Sequence, residues 1–116
     1  MSRMDQINEL LREELSLLMS RENPIPNGLV TITQVKCSPD LKNAAVLISV
    51  LPENVSGSAL RKLRNMNSYF GANLKKKVRI KFIPKFHWKI DSQERYAASI
   101  DRVLDEIHLE PKFDHE

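Results

Sequence analysis

The chain has a single cysteine, three glycines and, from Asn54 to Ile90, not one aspartate or glutamate. Each shortage excludes something. A lone thiol, Cys37, cannot form an intrachain disulfide, which suits a reducing, cytoplasmic setting. Glycines at only 28, 57 and 71 leave no glycine-rich phosphate loop, so nucleotide hydrolysis is not expected. No apolar run approaches the roughly 18 residues needed to cross a membrane. The opening "MSRMDQINELL" mixes acids and amides into its apolar positions, unlike a signal peptide. What remains is a chain of 116 residues, 41% hydrophobic and 28% charged, which suits one domain with one modest core.

Chemistry-bearing residues are equally sparse. His87, His108 and His115 are scattered and make no metal-ligand set. His87, Asp91 and Ser92 supply the letters of a hydrolase triad, but nothing positions a nucleophile or an oxyanion hole. Glu13 and Glu14 read as a solvated helix face, Cys37 as a small buried strand residue and Asp40 as a turn former. The expectation is a protein that is not an enzyme, with no cofactor, metal or small-molecule substrate.

What is present is positive charge. Residues 54–90 carry ten lysines and arginines: Arg61, Lys62, Arg64, Lys75, Lys76, Lys77, Arg79, Lys81, Lys85 and Lys89. The rest of the chain has eight basic and fifteen acidic residues, a net of 8 − 15 = −7 against the overall +3. Within "KKKVRIKFIPKFHWKI" the side chains alternate, with Val78, Ile80, Phe82, Phe86, Trp88 and Ile90 even and Lys77, Arg79, Lys81, Lys85, His87 and Lys89 odd, only Ile83 standing out of pattern. This predicts one long strand with the even residues in the core and a basic row facing outward. Same-face neighbours about 6.7 Å apart repel by about 0.6 kcal/mol in water, before salt screening. A solvated edge strand tolerates such a row to prevent aggregation. Ten cations without an acid point further, to a polyanion such as RNA. Phe86 and Trp88 could stack on bases, but their even register assigns them to the core; His87, on the basic side, is a polar surface residue able to meet phosphate when protonated.

The periodicities outline the remaining elements. A first helix is predicted from Ser2 to Met19, capped by Ser2 or Asp5, with Ile7, Leu10, Leu11, Leu15 and Leu18 on its apolar side. "LVTITQVKC" and "AAVLISV" read as two strands joined by a turn over "SPDLKN", with a β-bulge near Thr33 and Gln34 where the alternation slips. From Ser56 or Ser58 to Lys76 the pattern is helical, burying Leu60, Leu63, Phe70 and Leu74, with a break around Met66-Asn67-Ser68. A last helix from Asp91 or Ser92 would bury Tyr96, Ile100, Val103, Leu104 and Ile107. Three strands and several amphipathic helices imply an α+β fold with the helices on one face of the sheet.

The stretches "INELLREELSLLMSRE", "LVTITQVKCSPDLKNAAVLISVL", "LKKKVRIKFIPKFHW", "DSQER" and "IDRVLDEI" together resemble the ribosome-binding factor A family, from about Ile7 to Ile107. The resemblance implies a single KH-like (type II) domain over residues 1–108, α-β-β-α-kink-α-β plus a C-terminal helix; the residues themselves read as a flexible tail over 109–116. It implies a non-catalytic assembly factor that binds, as a monomer, the immature small (30S) ribosomal subunit and its 16S ribosomal RNA, supports late rRNA processing and aids growth in the cold. The family lacks the Gly-x-x-Gly loop of ordinary KH domains, as this chain does. Its Ala-x-Gly kink falls here on Met66-Asn67-Ser68, which leaves Ser68 to bend the helix through its own side chain. Two other readings stay open. One is a generic KH-like RNA binder. The other is a protein-interaction module that docks through the acidic first helix, at Glu9, Glu13 and Glu14.

Overall fold

The structure, a computed structural model, describes residues 2–91. The expected C-terminal helix and the 109–116 tail lie outside the described residues.

Helix α1 spans Arg3–Glu22. The two residues expected to compete for its cap share the work. Ser2 Oγ accepts from the Asp5 N–H at 3.1 Å and Asp5 Oδ2 accepts from the Ser2 N–H at 3.3 Å, a capping box. Asn23 ends the helix in the left-handed region, φ 45°, directly before Pro24. Ile7, Leu11, Leu15, Leu18 and Met19 are buried. Leu10, expected in this stripe, is instead 38% exposed. It stands about 100° around the helix from Leu11, which puts it at the stripe's edge.

Strands β1 (Leu29–Cys37) and β2 (Asn43–Leu51) pair antiparallel. Their register steps from Ile32↔Ile48 to Gln34↔Leu47, so Thr33 is the bulged residue the slipped alternation called for. Its hydroxyl donates to the Leu47 carbonyl at 3.2 Å. The extra residue lets Ile32, Val35 and Cys37 all turn inward. Asp40 organises the turn as expected, since its Oδ1 accepts from Ser38 Oγ at 2.6 Å and from the Lys42 N–H at 3.0 Å. Gly28 fits where a side chain would not, because a Cβ there would lie 2.8 Å from the Leu51 carbonyl oxygen.

After a short 3-10 turn at Glu53–Val55, helices α2 (Ser56–Asn65) and α3 (Asn67–Lys77) meet at Met66, whose φ of −96° and ψ of 5° break the helical path. The bend is where it was expected, but Asn67 rather than Ser68 anchors it. Its Nδ2 donates to the Phe86 carbonyl at 3.1 Å and its Oδ1 accepts from Trp88 Nε1 at 2.6 Å.

Strand β3 (Lys85–Ile90) runs parallel to β2, from Asn43↔Lys85 to Ile48↔Ile90, completing a sheet of order β1-β2-β3. Here the long strand predicted over residues 75–90 is overturned. Helix α3 runs to Lys77, one residue past the helix end expected at Lys76, residues 78–84 form a loop, and only Lys85–Ile90 are strand. The cause is the partner. β2 begins at Asn43, and before it the backbone turns away through residues 38–42, so anything earlier than Lys85 has no ladder to join. Pro84, which has no N–H to donate, sits at that boundary. Phe82, predicted to be core, is 67% exposed, and Ile90 at the far end is 37% exposed. Val78 is still buried and Ile80 and Ile83 pack partly against the core.

The buried side chains of all three helices share one core with Ile32, Val35, Ala44, Val46, Ile48, Val50, Phe86 and Trp88. The helices therefore cover one sheet face, as expected. Trp88 lies at its centre, 5.5 Å from Phe70 and 6.2 Å from Phe86 between ring centroids. Among the described residues, no helix is long and apolar enough to cross a membrane.

Candidate nucleic-acid interface

The ten cations singled out from the sequence occupy four places. Arg61, Lys62 and Arg64 lie on the outer side of α2, opposite buried Ala59 and Leu63. Lys75, Lys76 and Lys77 close α3. Arg79 and Lys81 stand on the 78–84 loop, and Lys85 and Lys89 alternate outward from buried Phe86 and Trp88 along β3. All are exposed except Lys85, which is half-buried. The α3 end, the loop and β3 are continuous in the chain, so seven cations from Lys75 to Lys89 follow one path. The α2 group belongs to the helical layer that packs on β3. The single strand row foreseen for Lys77, Arg79 and Lys81 is thus replaced by a helix end and a loop.

These cations are not energetically alike. Lys75–Lys77 sit where unsatisfied carbonyls make a helix end electronegative, which favours each by about 0.3–1 kcal/mol and offsets their mutual repulsion. Lys77 Nζ also lies 3.8 Å from Glu14 Oε1 of α1, so part of its charge is answered within the protein. Among the described residues Arg79 and Lys81 have neither support: the loop offers no helix end, and no carboxylate pairs with them. Lys81 Nζ lies 5.6 Å from the centre of the exposed Phe82 ring. His87 is half-buried, its Nε2 2.9 Å from Asn43 Oδ1.

The acidic face of α1 is less available than its composition suggests. Glu9 is engaged by Arg12, whose guanidinium, through their hydrogen bond, holds the Glu9 carboxyl below its usual range. Glu14 faces Lys77, and Glu22 Oε2 accepts from the Tyr69 hydroxyl at 2.6 Å, which pushes the Tyr69 pKa up. Cys37 is a buried residue of β1, as expected; burial raises its pKa to about 11, which keeps its thiolate scarce at neutral pH.

A sequence model of ribosome-binding factor A matches residues 3–104. The chain belongs to the ribosome-binding factor A family. The Brevibacillus brevis ribosome-binding factor A is 32% identical over 111 residues, covering 94% of this chain and 92% of its own. The Geobacter sulfurreducens protein is 30% identical over 111 residues, covering 94% of each. The crystal structure of ribosome-binding factor A from Thermus thermophilus superposes with a TM-score of 0.67 at 20% identity, over 75% of this chain and 93% of that one, so the KH-like fold is shared. A Thermus thermophilus ribosome-binding factor A fitted into a cryo-electron-microscopy map of its 30S complex gives a TM-score of 0.55 at 23% identity, over 75% and 89% of the two chains.

For a ribosome-binding factor A chain without the family's Ala-x-Gly, the bend is kept by other means. The Asn67 side chain reaches across to β3 and ties the start of α3 to Phe86 and Trp88. Sequence reasoning placed the bend but missed this residue. It also misplaced Phe82, and the signals that could have corrected it were Pro84 and the turn residues ahead of Asn43.

Proposed function

We propose that this chain is a non-catalytic assembly factor that binds the 30S ribosomal subunit and its 16S rRNA in the bacterial cytoplasm, and supports late maturation of that particle. The observation that carries the reading is the acid-free run from residue 54 to 90, with nine of its ten cations exposed. A surface of this kind gains affinity by releasing counterions from phosphates. Arg79 and Lys81 are its most committed members, since among the described residues neither has an ion-pair partner or a helix end beside it. Lys75, Lys76, Lys85 and Lys89 extend the surface on either side, with Arg61, Lys62 and Arg64 flanking it and Lys77 contributing least. Family membership and the 30S complex of the Thermus relative support the particle as partner. Docking through α1 is the weaker reading, because Glu9 and Glu14 are already engaged by Arg12 and Lys77. Sucrose-gradient sedimentation of a lysate tests the proposal. The protein should migrate with free 30S subunits, and its depletion should leave unprocessed 16S precursor. Migration at the top of the gradient under low salt would refute it.

A further inference from the structure

Phe82 is the most exposed large apolar side chain among the described residues, at 67%. Its loop neighbours do otherwise: Val78 is buried, and Ile80 and Ile83 pack against the core. The loop therefore has access to apolar cover and leaves one ring outside it. Arg79 and Lys81 precede this ring, both exposed, and Lys85 follows it. Lys81 Nζ stands 5.6 Å from the ring centre, within cation–π range. An aromatic interleaved with cations, with no acid anywhere in residues 54–90, has the composition of a single-strand nucleic-acid platform, where a ring stacks on a base and ammonium groups meet the flanking phosphates. A protein hot spot would instead sit within a wider apolar patch ringed by polar groups, and here the adjacent isoleucines are turned inward. Phe86 and Trp88 are buried and cannot serve this role.

We propose that Phe82 is a base-stacking residue that captures an unpaired nucleotide of the RNA, with Arg79 and Lys81 holding the phosphates beside it. The inference rests on the RNA-binding reading above and adds to it. The site would then prefer unpaired RNA over duplex, because only an unstacked base can offer its π-face. Duplex RNA would still bind, through the cations alone.

The test compares Phe82→Ala and Phe82→Leu with the unaltered protein on a short single-stranded RNA, a duplex RNA of equal length, and purified 30S subunits, over a salt series. Alanine should weaken single-strand binding about 5- to 100-fold and duplex binding little, with the salt slope unchanged because no phosphate contact is lost. Leucine, which keeps apolar bulk without a π-face, should recover only part of the loss. In Phe82→Trp the added exposed indole should be quenched by single-stranded RNA and not by duplex. If Phe82→Ala binds both RNAs as the unaltered protein does, the inference falls and the basic surface stands. If it loses 30S binding while single-strand binding is unchanged, the ring contacts a ribosomal protein and the proposal is wrong. Failure of the unaltered protein to bind any of the three would refute the functional reading itself.

Discussion

Asn67→Ala tests whether one polar side chain holds the helix pair to the sheet. The alanine keeps helical propensity and deletes two hydrogen bonds, one from Trp88 Nε1 at 2.6 Å and one to the Phe86 carbonyl at 3.1 Å. Each such bond contributes about 0.5–1.5 kcal/mol net, and leaving a buried donor without a partner costs about 1–3 kcal/mol. Trp88 is buried at the centre of the core, so its indole N–H cannot simply turn to water. Better helix propensity at residue 67 returns a few tenths of a kcal/mol. The expected loss is therefore about 2–4 kcal/mol, which for a chain of this size lowers Tm by roughly 8–16 °C. Urea unfolding followed by far-ultraviolet circular dichroism measures it. In a cycle with Trp88→Phe, the double variant should lose less than the sum of the singles, since the shared bond is removed only once. Amide exchange should speed up between Asn65 and Ala72 in the single variant. A loss below about 0.5 kcal/mol, with additive singles, would show that apolar packing alone sets the bend.

Three further outcomes are expected. Arg79→Glu with Lys81→Glu should sharply reduce 30S binding while costing within about 0.5 kcal/mol of stability per site, and in the unaltered protein log affinity should fall with log salt at a slope of about −3.5 to −4.5 if about five phosphates are neutralised. Insensitivity of binding to both perturbations would overturn the basic surface. Gly28→Ala should destabilise by about 1–3 kcal/mol, because the new methyl meets a backbone oxygen that cannot swing aside; a denaturation midpoint equal to that of the unaltered protein would contradict the close approach. Cys37 titrates near 11 when folded against 9.0 as a free group, so its contribution is complete below pH 9 and fades as pH rises towards 11, where the unfolded chain ionises first. Cys37→Ser, compared with the unaltered protein across that range, should flatten this part of the stability profile.

Much of this fold is local and was legible as such. The capping box at Ser2 and Asp5, the bulge at Thr33, the Asp40 turn and the break after Asn65 each depend on a few adjacent residues, whose side chains compete for or supply nearby backbone hydrogen bonds. The clustering of ten cations without an acid is likewise a property of the chain alone. Alternation between 75 and 90 had a different status. It records which residues are apolar, but a strand also needs a neighbouring backbone, and β2 supplies one only from Asn43 onward. Tertiary structure therefore decided that Lys77 closes a helix instead of opening a strand, that Arg79 and Lys81 ride a loop, and that Phe82 faces water instead of the core. It also decided that Asn67 binds Trp88, twenty-one residues away, and that Glu14 meets Lys77. Such pairings join groups from separate elements, and no local pattern carries them, because only the packed sheet and helices bring the partners within reach.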